Sequence, residues 1–198
     1  MRCAAILAGG RATRFGGRNK GALLVDGRPI VDRQIDELAA LSTLDEILIV
    51  GGTSPHPRAR VIDDVVPGSG PLGGIHAALY TLADADDAAF VVACDMPFVT
   101  RQLVDALLNL SHGVDIVVPV TERGYHPLCA VYRRTCLEPI ETRLTQRRLK
   151  VMDLFDEMRT RVVTGEELDR IGDRHRMLAN VNTPSDYQAL QEYQNHQL

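Results

Sequence analysis

The chain reads as an α/β protein: a mostly parallel sheet with helices on both faces, in three layers. Three observations predict this. Short apolar runs that read as buried strands alternate with stretches of helical periodicity at short, regular intervals. Several of these runs end in glycine or aspartate, as strand ends do. No repeat, low-complexity stretch or linker interrupts the 198 residues, a length that suits one domain with a sizeable core.

Ala4 to Ala8 is the first buried run and ends in Gly9-Gly10. Asp26-Gly27 is a turn, Pro29 can open a helix, and Ile30, Ile35, Leu38 and Leu41 recur at near-helical spacing. Ile47 to Val50 is a short strand ended by Gly51-Gly52, and Val61-Ile62 another, ending in Asp63-Asp64. Pro71 starts a second helix marked by Leu72, Ile75, Leu79 and Leu82. Phe90 to Cys94 is a buried strand that runs into Asp95-Met96-Pro97. Thr100 caps a third helix carrying Leu103, Leu107 and Leu110, and Ile116 to Val118 is a further strand. The rhythm then changes. Leu128 to Tyr132 reads as a strand, Thr135 to Leu144 as a helix, Met152 to Met158 as a short helix and Arg161 to Val163 as a small strand. Thr183-Pro184-Ser185-Asp186 reads as a helix start.

Composition bounds the function. A formal charge of −4 argues against a general nucleic-acid-binding surface. No apolar run approaches the roughly 20 residues needed to span a bilayer. The chain enters a core strand within a few residues, so no secretory signal is expected and a cytoplasmic location is. Cys3, Cys94, Cys129 and Cys136 lack CxxC spacing, which predicts reduced, buried thiols and no zinc site.

The chemistry centres on Leu7 to Lys20, LAGGRATRFGGRNK. Backbone without side chains lets N–H groups turn toward an anion, and Arg11, Arg14, Arg18 and Lys20 supply positive charge around it. A phosphate site at the carboxyl end of the first strand is the expectation, where open α/β sheets place their ligands. No GxxxxGK[ST] string occurs, so a P-loop is not supported. Gly68 to Gly73 fits GxGxxG but does not leave a strand directly; it reads as a second binding loop, or as a turn leading to Pro71 at a helix start. Asp95, directly after a buried strand, suits a Mg²⁺ ligand shared with substrate phosphates, or a carboxylate that caps the following segment. Asp64 has the same placement and reads alternatively as a turn carboxylate. No Ser-His-Asp or Cys-His pattern is visible; positioning and charge, without a nucleophilic side chain, suit phosphoryl or nucleotidyl transfer.

These residues carry a resemblance. Leu7-Ala8-Gly9-Gly10, Arg14-Phe15-Gly16 and Lys20 are similar to the LAGGxxxRMGxxxK loop of molybdenum cofactor guanylyltransferases. Gly70-Pro71-Leu72-Gly73-Gly74 resembles that family's GPLAG segment, Cys94-Asp95-Met96-Pro97 its CDxP motif, His126-Pro127 its HP element and Asn180-Val181-Asn182-Thr183-Pro184 its NVNTP motif. The motifs come in the family's order across nearly the whole chain.

The resemblance implies a single nucleotidyltransferase domain with a Rossmann-like sheet, nucleotide-binding over about residues 1–120 and acceptor-binding beyond. It implies that a molybdopterin phosphate attacks the α-phosphorus of Mg·GTP, giving the guanine dinucleotide and pyrophosphate. By motif, Leu7, Ala8, Gly9 and Gly10 would contact the nucleotide, Lys20 and Arg14 its phosphates, Asp64 the nucleoside, and Asp95 the Mg²⁺. Lys20, Arg14 and Asp95 would form the catalytic set, and Asn180 and Asn182 would face the pterin. Arg147, Arg148 and Lys150 suit an anionic pterin or a solvated charge run. Molybdoenzyme maturation proteins are implied partners. Two positions depart from the pattern: Phe15 replaces a usual Met, and Gly51 lies where some members have asparagine. Cytidylyl-transferring relatives resemble LAAG where this chain has LAGG, which favours GTP over CTP. Transfer to a sugar or alcohol phosphate and a non-catalytic carrier are the competing readings.

Overall fold

In a parallel sheet flanked by helices both faces of each strand must be apolar, and the apolar runs of this chain meet that condition. The computed structural model describes residues 1–9, 23–52, 55–181 and 186. In chain order the strands and helices are β1 (Arg2–Leu7), β2 (Leu24–Val25), β3 (Arg28–Pro29), α1 (Ile30–Ala39), β4 (Glu46–Val50), β5 (Arg60–Ile62), α2 (Gly70–Tyr80), β6 (Ala88–Ala93), α3 (Arg101–Asn109), β7 (Ile116–Thr121), β8 (Gly124–Tyr125), β9 (Cys129–Arg133), α4 (Leu137–Thr145), β10 (Thr160–Val163), α5 (Gly165–Asp169) and α6 (Arg174–Met177). The main sheet has the order β10-β7-β9-β6-β1-β4-β5, with β8 paired to β7. All its neighbouring pairs are parallel except those of β9, which runs against β6 and β7, and β8, which runs against β7. The mostly parallel sheet is therefore observed.

Alternation along each strand sorts the core into two faces. Cys3, Ala5 and Leu7 of β1 point into one cluster with Leu72, Ile75 and Leu79 of α2 and Leu137, Ile140 and Leu144 of α4. Ala4 and Ile6 point into the other, with Ile35 and Leu38 of α1, Leu103, Val104 and Leu107 of α3, Leu168 of α5 and Met177 of α6. Two helical layers thus sandwich the sheet. Helix α2 is buried along most of its length, from Leu72 to Leu79. It reaches the sheet because Gly74 has no side chain: a Cβ there would lie 3.0 Å from Leu7 Cδ2.

Local signals set several boundaries. Thr100 Oγ1 accepts from Leu103 N and caps α3. Asp26 and Gly27, at φ 52° and 71°, close the β2–β3 hairpin in the doubly left-handed turn that matches strand twist. At the amino end of β7, Asp115 accepts two bonds of 2.9 Å from the Arg159 guanidinium, one from Arg159 N and one from Thr135 Oγ1. The Arg159 bonds, followed by that of Thr135, hold its carboxyl at about 2, against burial that pushes the other way.

Some elements differ from expectation. The helix expected over Met152 to Met158 is a 3-10 turn, Val151–Leu154, followed by turns. Arg143, 2% exposed, pins this stretch: it donates to Asp153 O at 2.8 Å and pairs with Glu157. The helix expected from Thr135 begins as a 3-10 turn, Arg134–Cys136, before α4. The short elements β8, α5 and α6 gave no periodic signal. The expected helix start at Thr183 falls largely outside the described residues. All four cysteines are buried and outside any disulfide, and burial pushes the Cys3, Cys129 and Cys136 thiols up to about 12.

Candidate active site

Parallel strands place their carboxyl ends together, so β1, β4, β5 and β6 deliver Leu7–Gly9, Gly51-Gly52, Asp63-Asp64 and Cys94-Asp95 to one rim. The registers align there: Leu7 pairs with Val50 and with Ala93, and Val50 with Ile62. Asp95 and Asp64 flank β1 and β4. Three strand spacings separate them, on the order of 14 Å across the sheet.

The turn after β1 is tightly sewn. Ala8 N and Gly9 N both donate to Val50 O, at 2.9 and 3.1 Å, and Leu7 O accepts from Cys94 N at 3.2 Å. The N–H groups of Ala8 and Gly9 are thus spent on the neighbouring strand. Carbonyl groups and the exposed Gly9 backbone remain for a ligand. Gly10, Arg14 and Lys20 lie outside the described residues, as does Asn182.

The backbone calls for glycine at position 51. Its φ is +70°, and a Cβ there would stand 3.0 Å from Gly9 Cα and 3.2 Å from Gly9 N. Glycine lets the turns after β1 and β4 touch. Asp64 stands beside both: its Oδ2 lies 3.9 Å from where a Gly9 Cβ would be and 4.0 Å from where a Gly51 Cβ would be. Half-burial, and then the charge of Asp63, raise the Asp64 carboxyl above its ordinary value of 3.8. A carboxylate in that state gains from hydrogen-bond donors on a ligand.

Asp95 sits in a tight turn leaving β6 and is 8% exposed. Met96 N donates to Ala93 O to close the turn, and Val181 N donates to Asp95 O at 2.8 Å. Asn180 Nδ2 reaches Asp95 Oδ1 at 3.5 Å. Residues 85 positions apart, one read as a metal ligand and the other as an acceptor contact, therefore meet. Val181 is fully buried with Val25, Ile30 and Phe98, which anchors Asn180 at the rim.

A residue that the sequence analysis passed over lies beneath this turn. Gln34 of α1 is 2% exposed, and its Nε2 donates to Ala93 O at 2.8 Å and to Met96 O at 3.0 Å. Its place in the sequence held a signal, since Ile30, Gln34 and Leu38 share one helical stripe.

Other expected features make contacts within the fold. Pro71 opens α2, and a Cβ on Gly73 would strike Ser69 Cβ at 2.9 Å, so Gly73 serves close packing. His126 is bonded to Thr121 Oγ1 at 2.9 Å within the β7–β8 hairpin, and burial lowers its pKa. Arg148 and Lys150 pair with Glu157 and Asp153, as a solvated charge run would, and Arg147 occupies a turn at φ 57°. Among the described residues no group of three or more His, Cys, Asp or Glu could cage a metal by itself. One buried rim carboxylate suits instead a hard cation held largely by substrate phosphates and water.

The MobA-like NTP transferase domain family matches residues 4–162. A probable molybdenum cofactor guanylyltransferase of Pelotomaculum thermopropionicum is 39% identical, over 91% of this chain and 87% of its own length. A molybdenum cofactor guanylyltransferase of Desulfosudis oleivorans is 35% identical, over 90% of this chain and 88% of its own. In structure, the molybdopterin-guanine dinucleotide biosynthesis protein A of Archaeoglobus fulgidus superposes with a TM-score of 0.83 at 23% identity, covering 98% of this chain and 99% of that one. The chain belongs to the MobA-like NTP transferases, alongside the molybdenum cofactor guanylyltransferases.

Proposed function

We propose that this protein transfers GMP from GTP to molybdopterin. A phosphate oxygen of the pterin bonds to the α-phosphorus of GTP, the bond from that phosphorus to the bridging oxygen breaks, and pyrophosphate leaves. The carrying observation is the hydrogen-bond contact between Asp95 and Asn180 at the carboxyl end of β6. It joins a residue read as serving the nucleotide phosphates to one read as serving the acceptor, which is what in-line transfer between two bound phosphates needs. The family relationship supports the same reading.

In this proposal the nucleoside lies over the turns after β4 and β5. The Leu7, Ala8, Gly9 and Gly10 backbone lines it, Gly51 leaves room beside it, and the Asp64 carboxylate accepts from its donors. The phosphates extend toward β6, and Arg14 and Lys20, as the motif implies, would offset their charge. Asp95 would hold Mg²⁺, which when bound neutralises charge on the phosphates and polarises the α-phosphorus. Asn180, beside Asp95, would hold the acceptor, and the motif implies the same role for Asn182. Residues up to about 120 would then bind the nucleotide, and the remainder the acceptor. No helix among the described residues is long and apolar enough to cross a membrane. Substrates in this reading are GTP and molybdopterin, with molybdoenzyme maturation proteins as recipients of the product.

Pyrophosphate release from GTP, and separately from CTP, with Mg²⁺ and purified molybdopterin tests the reading. Pterin-dependent release with GTP alone is expected. Release with CTP alone would overturn the choice of base, and release with neither would overturn the choice of acceptor.

A further inference from the structure

A primary amide buried in the apolar stripe of a helix is costly unless its hydrogen bonds are made. Gln34 meets that cost in a particular place. Its stripe neighbours Ile30 and Leu38 are packed in the core, yet Gln34 points both Nε2 hydrogens at the turn after β6. One goes to Ala93 O, just before Cys94-Asp95, and the other to Met96 O, just after. The amide therefore straddles the two residues that form the rim. Its Oε1 is buried without a partner. The side chain forgoes one hydrogen bond, and an amide oriented the other way would set Oε1 against two carbonyl oxygens.

Other tethers of this turn act on the backbone from other directions. Cys94 N is held by Leu7 O of β1, and Asp95 O by Val181 N. Gln34 is the tether from below, and it belongs to α1, the helix reached through the β2–β3 hairpin from the segment that carries Lys20. A small rotation of the 93–96 turn would swing the Asp95 carboxylate across the rim, because that side chain leaves the turn between the two bonded carbonyls.

We propose that Gln34 is a positioning residue for Asp95: its amide clamps the carbonyls on both sides of the turn and sets the carboxylate for a divalent cation. The inference rests on the metal role given to Asp95 above. Nothing in the loop motifs marks Gln34, and its side chain reaches the Asp95 turn through main-chain carbonyls.

Mn²⁺ binding, read by electron paramagnetic resonance on the protein saturated with an α,β-methylene analogue of GTP, tests this without any acceptor or turnover. Gln34→Leu is expected to weaken Mn²⁺ about tenfold, as loss of a group that orients a ligand does, while affinity for the analogue in chelator stays unchanged. In an Asp95→Asn background the same substitution should add nothing, since the clamp then has no ligand to set. Gln34→Glu supplies a second readout that keeps the side chain's size. Protonated, its acid can donate to one carbonyl; ionised, it repels both. Its Mn²⁺ affinity should fall as pH rises from 5 to 8, while the wild type's stays level or rises.

Mn²⁺ affinity within twofold of wild type in Gln34→Leu, alongside a clear loss in Asp95→Asn, overturns the inference alone. An additive loss in the double variant, or a Gln34→Glu profile parallel to wild type, does the same. Undiminished Mn²⁺ binding by Asp95→Asn removes the metal role and the inference together. Should Gln34→Leu fail to fold, the Gln34→Glu profile decides.

Discussion

Asp95 leaves the central strand β6 and Asp64 leaves the edge strand β5, and the two turns are held to different degrees. The Asp95 turn is bonded from β1, from α1 through Gln34 and from Val181, and its carboxylate is nearly buried. Asp64 follows a three-residue strand, is half-buried and sits next to another acid, Asp63, which helps to raise its pKa. The difference teaches what each carboxylate is suited to. A rigid, several-times-tethered ligand fits a role in which small displacements cost rate. A carboxylate kept uncomfortable until a donor arrives fits recognition of a nucleoside.

Substitutions can break that contrast. Asp95→Asn keeps the shape and its reach to Asn180 but removes the charge; kcat should fall about a thousandfold with the fold intact by circular dichroism. Turnover within tenfold of wild type would remove Asp95 from the metal role. Gly51→Ala attacks the space between the two turns. The left-handed backbone costs an alanine about 1–2 kcal/mol, and its Cβ presses on Gly9. Denaturant unfolding should register that loss, and KM for GTP should rise about tenfold with a smaller change in kcat.

Asp64→Asn should raise KM for GTP about fivefold and leave kcat nearly unchanged, through loss of one charged hydrogen bond. Its stability effect has the opposite sign. The folded carboxyl has a pKa above the unfolded value of 3.8, so the folded state binds the proton more tightly. Stability from this group is present below 3.8 and is lost as pH rises through the raised value. At pH 7 the neutral amide should therefore match or exceed the wild-type thermal midpoint, and a drop of several degrees would contradict the assignment of strain to Asp64.

Asp115 sharpens the contrast from the far end of the sheet. Its bonds to Arg159 and Thr135 tie the starts of β7 and β10, away from the rim. The folded carboxyl titrates at about 2 against 3.8 in the unfolded chain, so its stabilisation is complete above the unfolded value and fades as pH falls from about 4 toward 2. Asp115→Asn should lower the thermal midpoint by a few degrees at pH 7 and flatten that acid-side loss, with kcat and KM within twofold of wild type.

Much of the rim was legible because strand ends are. Leu7 to Gly9, Gly51-Gly52, Asp64 and Asp95 each follow an apolar run, and parallel topology brings such ends together without further information. Asn180 was visible only through the motif it resembles, since α6 before it spans four residues and carries no period. Strand β9 was legible as a strand and its direction was not. Its antiparallel course follows from the short β7–β8 hairpin and the tight turn at His126–Cys129, whose apolar text looks like that of a parallel strand. Gln34 escaped for a subtler reason. A polar residue in an apolar stripe announces a buried hydrogen bond, but its partners are main-chain carbonyls about 60 residues away, and carbonyls leave no mark in a sequence.

The most direct measurement is a single-turnover transfer with GTP labelled at the α-phosphate, molybdopterin and Mg²⁺, comparing wild type with Asp95→Asn. The account predicts that wild type moves the label onto the pterin as a dinucleotide, with pyrophosphate unlabelled, and that the Asp95→Asn rate falls about a thousandfold. Label that stays on free nucleotide in the wild type, or that moves equally fast in both proteins, would contradict it.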